Sequence, residues 1–391
     1  MPPLALTAAL AALQFALAVG WLAYAVCLPR LIADAGLSAS VTPWILLVDQ
    51  ALFSVFDVVL SLAMVSVMRA RERAMPLLIP AVLCSALAMV AMPVVSPLGP
   101  PALLLTLLLW VTCTAVLRAP VLVLYARHVP PEHHPAGLSV ALVGVGLSAA
   151  LAPFAAEQLK LHAPLLGFAL SSGLLVATVL ALSLAERLAP PSPPPPRPGP
   201  WTAVELLRVP LVAVGALTLA PGTQIHQAQR AGPMLGAALS ADVAQWALVA
   251  AGAVAAVSAE VAGLLAARIP ASILVIAGAV GLVAGVGLAS LGEGHGALVA
   301  GGVVLAFASA SAAGVGSMQA AASAGPPARQ GLLLGLWSAV GSLAAALRLG
   351  LVASGTVGHL PGSALDLGTI GLVAAAGVLF FVLLAAPAPR A

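Results

Sequence analysis

Charged residues are scarce in this 391-residue chain. Asp, Glu, Lys and Arg together make up 7% of it, whereas 62% of the residues are hydrophobic. Soluble domains carry about 25% charged residues, so this chain lacks the polar groups that a water-facing surface needs. The mean hydropathy is +1.14. The composition excludes a soluble protein and predicts an integral membrane protein whose surroundings are a lipid bilayer.

Cysteine and long basic runs are also nearly absent. The three cysteines, Cys27, Cys84 and Cys113, fall within apolar segments, which argues against a disulfide framework. The formal net charge is +3, and no basic run is long enough to indicate nucleic acid. The sequence contains no H-E-x-x-H, Walker P-loop or G-x-S-x-G motif. We therefore expect no enzyme, no cofactor and no ATP-driven pump, unless a partner chain supplies the motor.

Long apolar runs, by contrast, are abundant. A bilayer core takes about 20 residues of helix, and continuous apolar runs favour helices over strands, in which apolar and polar residues alternate. The sequence therefore predicts an all-α integral membrane protein with twelve transmembrane helices. The apolar windows lie near residues 5–29, 43–66, 75–96, 101–126, 136–158, 164–185, 206–229, 243–267, 271–291, 297–321, 332–356 and 366–387.

The stretch ERLAPPSPPPPRPGP, residues 186–200, differs from the rest of the chain. It has five prolines within residues 193–198, which cannot form a helix interior and favour an extended conformation. We interpret residues 186–203 as a cytoplasmic linker. It would divide the chain into an N-terminal six-helix bundle, residues 1–185, and a C-terminal six-helix bundle, residues 204–391. The alternative is an ordinary long loop.

The distribution of arginine predicts the orientation in the membrane. Positively charged residues concentrate in cytoplasmic loops, and an inside N-terminus places most of them there. Both termini are then cytoplasmic, and the composition favours a bacterial source and the inner membrane. In this orientation the outer loops contain Arg30, Lys160 and Arg230, and the inner loops contain Arg69, Arg71, Arg73, Arg127, Arg187, Arg197, Arg268, Arg329 and Arg390.

The two halves of the chain contain similar stretches. Residues 129–153, VPPEHHPAGLSVALVGVGLSAALAP, and residues 325–350, GPPARQGLLLGLWSAVGSLAAALRLG, each place Pro-Pro and a short polar loop before a Gly-spaced apolar helix. Small residues at such spacing allow close approach of helix backbones. The fifth and eleventh windows are equivalent if six helices repeat. The alternative is that Gly- and Ala-rich sequences resemble one another by composition alone.

Six windows, a linker and six further windows with cytoplasmic ends resemble the major facilitator superfamily of secondary transporters over essentially the full length. The family usually has G-x-x-x-D-R-x-G-R-R between helices two and three. Here the region reads AMVSVMRARE, with Ala63 and Val67 at the Gly and Asp positions. Between windows eight and nine, GLLAARIP keeps Gly263 and Arg268 but has Ala267 in place of Asp.

The resemblance implies a pseudo-twofold pair of six-helix bundles that rock about a central site near the bilayer midplane, and a monomer. The stretch GVGLSAALAP, residues 144–153, is similar to the Gly-rich motif of the family's antiporters, with Ala152 replacing the last Gly. That similarity favours export. The missing acidic residues of the loop motifs instead favour a scaffold without the usual cytoplasmic latch.

Two charged residues lie near the middle of windows two and four. Asp57 is 14 residues from Pro43, and Arg118 is 17 residues from Pro101, so their depths differ by about 4–5 Å at 1.5 Å per residue. A charged side chain at the bilayer centre costs ~2.5–3.5 kcal/mol, so we predict that the two form a pair. The pair is either a structural lock or a coupling site, in which Asp57 binds a proton and Arg118 holds an anionic group of the substrate.

Three further charged residues fall within windows. Asp49 and Arg348 are both expected in the outer leaflet, and the resemblance implies that windows two and eleven face each other. We therefore predict an Asp49–Arg348 pair that gates or locks the outer side. Glu260, in window eight, has no predicted partner in its own half, and we interpret it either as a protonation site or as a neutral, hydrogen-bonded group.

Two polar clusters remain. In TQIHQAQR, residues 223–230, Gln224, His226 and Gln227 either line the outer mouth of a cavity or belong to a solvated helix end. The histidines of RHVPPEHHP, residues 127–135, suggest metal binding at first sight. No scaffold sets their spacing and no cysteine accompanies them, so a solvated loop is the better interpretation and no metal is expected.

The sequence therefore predicts a secondary active transporter, coupled to protons, that moves a small organic anion or amphiphilic solute by alternating access. The sequence has no cluster of oxygen ligands that would indicate sodium as the coupling ion. One alternative is a lipid, lysolipid or drug exporter with the same fold, which moves an amphiphile between leaflets. Another is a non-transporting membrane scaffold or sensor.

Overall fold

The computed structural model describes most of the chain. Within the described ranges every regular element is a helix, which confirms the all-α class predicted from the apolar runs. The described residues are 4–70, 75–129, 134–161, 163–189, 199–200, 202–225, 227, 230–292, 294–326 and 329–385.

The helices of the two halves have the following bounds. In the first half they are α1 (Leu4–Asp34), α2 (Thr42–Ala70), α3 (Met75–Val95), α4 (Pro100–Ala115), α5 (Ala119–His128), α6 (His134–Leu161) and α7 (Pro164–Leu188). In the second half they are α8 (Ala203–Ile225), α9 (Ala231–Ala238), α10 (Ala241–Leu265), α11 (Ala271–Leu291), α12 (Gly296–Ser323), α13 (Gln330–Ala353), α14 (Thr356–His359) and α15 (Gly362–Ala385).

Eleven stretches of the described chain are long and apolar enough to cross a membrane. One of them, Pro100–Tyr125, joins α4 and α5 into the predicted fourth span. A shorter apolar stretch, Arg208–Ala220, lies in α8, where the seventh span was predicted. Together they agree with about twelve membrane helices, so the chain is a multi-pass membrane protein.

The break between α4 and α5 follows from Pro120. Proline lacks an N–H, and its ring clashes with the carbonyl four residues earlier, so α4 cannot continue through this point. The chain tightens instead, with Leu117 N–H donating to the Thr114 carbonyl and Arg118 N–H to the Ala115 carbonyl. Arg118 therefore lies at the break, directly before the first residue of α5, with φ −85° and ψ −104°.

The helices pack as two bundles. In the first, α1 lies against α6 and α7, and α3 against α4 and α7. In the second, α11 lies against α12 and α15, and α8 against α13 and α15. The bundles meet along two long helix pairs, which we call the α2–α13 seam and the α6–α10 seam.

Glycines allow close backbone contact at both seams. A Cβ on Gly146 of α6 would lie 2.7 Å from the Ala256 nitrogen of α10, and a Cβ on Gly335 of α13 would lie 2.8 Å from the Asp57 carbonyl oxygen of α2. Real side chains do not reach such distances. Small residues therefore determine how closely the two bundles can approach, as the Gly-spaced stretches of the sequence suggested.

The predicted linker, residues 186–203, spans the interval between the end of α7 at Leu188 and the start of α8 at Ala203. Residues 190–198 and 201 lie outside the described residues, so the exact domain boundaries stay a prediction. The described part of this interval contacts the second bundle. The Arg329 Nη2, directly before α13, donates to the carbonyl of Gly199 at 2.7 Å.

We name the two ends of the bundles after the orientation that the arginines predict. The outer end contains the first residues of α2 and α10 and the last residues of α13. The inner end contains the last residues of α2 and α5 and the first residues of α13.

Candidate functional site

A cavity of about 600 Å³ lies between the two bundles. Its size is within the usual range for a small-molecule site. Most of its wall is apolar, and none of the lining side chains that the structure describes is acidic. The charged and amide side chains that line it are Gln14, Gln50, Arg118, Gln227 and Arg348.

Asp57 and Arg118 form an ion pair beside this cavity. The Arg118 Nε lies 3.2 Å from Asp57 Oδ1, and the Nη2 lies 3.2 Å from Oδ2, which is a bidentate geometry. Asp57 is fully buried, whereas 28% of the Arg118 side chain is exposed. The guanidinium also lies over the Phe53 ring, 4.5 Å from its centroid. The structure therefore brings together the two residues that depth counting paired, with the arginine facing the cavity.

Two serines of the opposite bundle join this ion pair. The Ser338 hydroxyl donates to Asp57 Oδ2 at 2.8 Å, and the Arg118 Nη2 donates to the Ser342 hydroxyl at 2.5 Å. Sequence reasoning missed both serines. Their spacing of four residues, which places them on one face of α13, was the available signal. The resulting polar cluster crosses the α2–α13 seam.

Asp49 does not pair with Arg348, contrary to prediction. Its carboxylate accepts a hydrogen bond from the Tyr24 hydroxyl of α1 instead, and the Tyr24 ring packs against Trp110 with centroids 4.6 Å apart. The physical reason lies in the helix rotation. Gln50 lines the cavity, and successive residues of a helix with 3.6 residues per turn point about 100° apart, so Asp49 faces α1.

Arg348 lines the same cavity from α13, closer to the outer end than Arg118. Its Nε is buried and has no hydrogen-bond partner among the residues that the structure describes. Within the part of the chain that the structure describes, no acidic side chain forms an ion pair with it. Arg348 is therefore a cation without a counter-charge among the described residues.

Glu260 lies away from the cavity. It is exposed, on a face of α10 that also carries Val257, Val261 and Leu264, which are 63%, 48% and 57% exposed. The cavity side of α10 presents Ala255 instead. This placement does not agree with the predicted role in substrate binding or coupling. The sequence indicated the depth of Glu260 along the helix but not the helix face on which it lies.

The three residues predicted at the outer mouth have different outcomes. Gln227 lines the cavity. Gln224 belongs to the last turn of α8, and His226 lies outside the described residues. Gln227 therefore lies in the cavity wall, and the role of the cluster stays a prediction.

Two further contacts between acidic and basic side chains lie within single bundles and were not predicted. In the second bundle, Arg230 pairs with Asp366 through contacts of 3.2 and 3.1 Å, and the Ser290 hydroxyl donates to the same carboxylate at 2.8 Å. In the first, His128 Nε2 lies 3.7 Å from the Glu186 carboxylate. These side chains do not line the cavity, so both contacts tie neighbouring helices together.

Comparison with known proteins gives structural matches alone. No protein-family model matches the sequence, and no curated protein does. The human organic anion transporter MFSD10 (TETRAN) superposes with a TM-score of 0.67 at 15% identity, covering 98% of this chain and 99% of that one. FucP, a major facilitator superfamily transporter, in its outward conformation gives 0.67 at 16%, covering 96% and 98%. A bacterial homologue of the iron transporter ferroportin, in an outward-facing state, gives 0.69 at 13%, covering 97% and 99%.

The chain has the major facilitator fold. The match over nearly the full length of each neighbour confirms the resemblance that the span count indicated. The major facilitator fold places the cavity between two six-helix bundles, where discontinuous helices and bundle interfaces form sites near the midplane. In this chain the broken α4–α5 span supplies Arg118 to the wall of the cavity between the bundles.

Proposed function

We propose that this protein is a proton-coupled secondary transporter that moves a small organic anion or amphiphilic solute by alternating access. One observation carries the proposal. Arg118 faces the cavity from one bundle, while its buried partner Asp57 accepts a hydrogen bond from Ser338 of the other. A ligand that binds Arg118 therefore changes the environment of Asp57, and with it the Ser338–Asp57 hydrogen bond between the bundles.

The lining of the cavity supports an anionic substrate. Two arginines line it, and no described lining side chain is acidic. In a low-dielectric site a positive charge selects strongly for a negative group, and the apolar wall suits a hydrocarbon body. The structural neighbour MFSD10 is an organic anion transporter, and this agrees with the proposal at the level of the fold.

The hydrogen-bond geometry supports coupling to a proton. Arg118 has five N–H donors, of which those on Nε and Nη2 bind Asp57 and Ser342. A substrate anion that draws the guanidinium away leaves the buried Asp57 carboxylate without its counter-charge. An isolated buried carboxylate is costly, so it binds a proton instead. Binding of the anion and of a proton are thereby linked.

The remaining parts of the proposal concern location and direction. The arginine distribution supports both termini in the cytoplasm, and the composition supports a bacterial inner membrane. The Gly-rich stretch of residues 144–153 supports export, and we propose that one chain is the functional unit. A lipid or lysolipid exporter and a non-transporting scaffold are the two rival functions.

A thermal-shift screen of the detergent-purified chain tests the substrate class. The probes are aromatic and medium-chain carboxylates, lipophilic cations and lysolipids, at acidic and at mildly alkaline pH. A ligand at 100 times its dissociation constant stabilises a protein by about 2.7 kcal/mol, so a binding carboxylate raises the melting midpoint by several degrees. We expect Arg118→Gln to abolish this shift and Glu260→Gln, on the exposed face of α10, to preserve it.

The other results of the screen separate the rivals. Stabilisation by lysolipids or cations alone would favour the exporter of amphiphiles and assign Arg118 to a structural lock. The absence of stabilisation by all three classes would favour the scaffold. For a carboxylate that binds, uptake into proteoliposomes must collapse on addition of a protonophore, because a transporter that is indifferent to the uncoupler is not proton-driven.

A further inference from the structure

We propose that Arg348 and Gln50 form a second anion-binding subsite in the outer part of the same cavity. The substrate is then a two-headed anion, with one acidic group at Arg118 and the other at Arg348, joined by an apolar spacer. This inference rests on the proposed transport function and names its substrate class.

The first argument is the state of Arg348. Charged side chains within membrane spans generally face a cavity and pair with another group. Arg348 faces the cavity, but its Nε is buried and has no hydrogen-bond partner within the described ranges. The acid that the sequence assigned to it, Asp49, is held by Tyr24 on the other side of α2. The natural counter-charge of Arg348 is therefore a group that enters the cavity.

The second argument is the position of Gln50. This side chain is 5% exposed and lines the cavity. Helices α2 and α13 are antiparallel, and a Cβ on Gly350 would lie 3.1 Å from the Leu47 side chain. Gln50 and Arg348 are therefore at the same level on opposite sides of the seam. An amide N–H₂ and a guanidinium that line one cavity at the same level are suitable donors for one carboxylate.

The third argument is the separation of the two arginines. The Arg118 Nη2 binds Ser342, and Arg348 is six residues further along α13, which corresponds to about 9 Å along the helix axis. An anion with two acidic groups on a spacer can span positions that are this far apart on α13. The wall between them includes Ala345, whose small side chain leaves room for a hydrocarbon spacer.

The fourth argument is the balance of charge. With Asp57 ionised, Arg118 and Asp57 cancel and Arg348 leaves the site with one net positive charge. When Asp57 binds a proton, both arginines are uncompensated, and a dianion neutralises them. A dianion accompanied by one proton therefore matches the proton coupling that the Asp57–Arg118 pair suggests.

Ligand binding to the detergent-purified full-length chain tests the inference. The probes are straight-chain α,ω-dicarboxylates of increasing length, each with its monocarboxylate and its mono-methyl ester. Binding is read from tryptophan fluorescence, because Trp21 and Trp337 line the cavity. We expect affinity to peak at one chain length and to exceed that of the matched monocarboxylate about tenfold.

Three variants locate the two acidic groups. Arg118→Gln and Arg348→Gln should each remove the advantage of the dicarboxylate, whereas the monocarboxylate loses affinity in only one of them. Arg348→Lys should restore part of the dicarboxylate affinity. Arg30→Gln removes an exposed arginine that does not line the cavity, and it should leave every affinity unchanged within about twofold.

Two results would overturn the inference. If dicarboxylates bind no tighter than monocarboxylates, and Arg118→Gln still abolishes binding, the second subsite is refuted while the proposed function stands. If neither class of carboxylate binds, while cations or lysolipids do, the proposed anion transport fails and the second subsite fails with it.

Discussion

The two seams that join the bundles are built differently. At the α6–α10 seam the described contacts are close approaches of backbone and small side chains, such as Gly146 against Ala256, with an edge-to-face contact of Phe154 and Trp246 at 5.2 Å. The α2–α13 seam also has a close glycine contact. It adds the polar cluster of Asp57 and Ser338, with Arg118 beside it.

This difference assigns different roles to the seams. The energy of a tight apolar contact depends on shape and is insensitive to protons and anions. A buried carboxylate that is hydrogen-bonded across a seam responds to both, because its charge determines how strongly the serine donors bind it. We therefore infer that α6–α10 is a permanent pivot and that α2–α13 is the contact that ligand and proton regulate.

The largest expected effect comes from Asp57→Asn. Removing one member of a buried ion pair costs ~3–5 kcal/mol, and because 28% of the Arg118 side chain is exposed we expect the lower end, about 3 kcal/mol. The melting midpoint of the purified variant should fall accordingly. The double variant Asp57→Asn/Arg118→Gln should recover much of the loss. Equal melting midpoints for the wild type and Asp57→Asn would show that the polar cluster does not stabilise the α2–α13 seam.

An intermediate effect is expected from Gly252→Ala at the α6–α10 seam. The added Cβ would overlap the backbone of Ala149 and Ala150, and overpacking of this kind costs typically ~1–3 kcal/mol. Gly287→Ala in α11 is the matched control, since nothing lies within 4 Å of its Cβ position. The comparison of melting midpoints decides whether the pivot is tight. If Gly252→Ala leaves the melting midpoint unchanged, the α6–α10 seam is not tightly packed and does not act as a permanent pivot.

The smallest effect is expected from Ser338→Ala. Interhelical hydrogen bonds in membrane proteins average about 0.6 kcal/mol, so the midpoint should fall by a degree or two. The effect should shrink in the Asp57→Asn background, because the neutral amide oxygen of Asn accepts a weaker hydrogen bond than the carboxylate does. Ser66→Ala, an exposed serine on α2, controls for the loss of a hydroxyl. An undiminished effect in the Asp57→Asn background would assign Ser338 to some other contact.

Depth in the membrane could be predicted from the sequence. Because a helix advances 1.5 Å per residue, counting from Pro43 and Pro101 placed Asp57 and Arg118 at nearly one level, and the structure has them in contact. The break before Pro120, which turns Arg118 toward the cavity, was also readable from the backbone chemistry of proline. It was missed because the whole apolar window was interpreted as one helix.

Rotation about each helix axis could not be predicted. Asp49 and Arg348 have matching depths, yet Asp49 faces Tyr24 of α1. Glu260 has a suitable depth on α10, yet it lies on the exposed face. Nothing in the sequence of α1 or α10 indicates that these two acidic residues point away from the cavity. The wrong assignments of Asp49 and Glu260 therefore became visible only in the packed structure.

The sequence by itself determined the membrane class, the approximate number of spans and the levels of Asp57 and Arg118 along their helices. The tertiary structure decided which of those residues meet, that two serines complete the seam, and that Arg348 has no acidic partner among the residues that the structure describes. The physical reason lies in the solvent. Lipid and protein interior are both apolar, so burial of a membrane helix face leaves little hydrophobic periodicity in the sequence, and the packing of small residues sets the rotation of each helix instead.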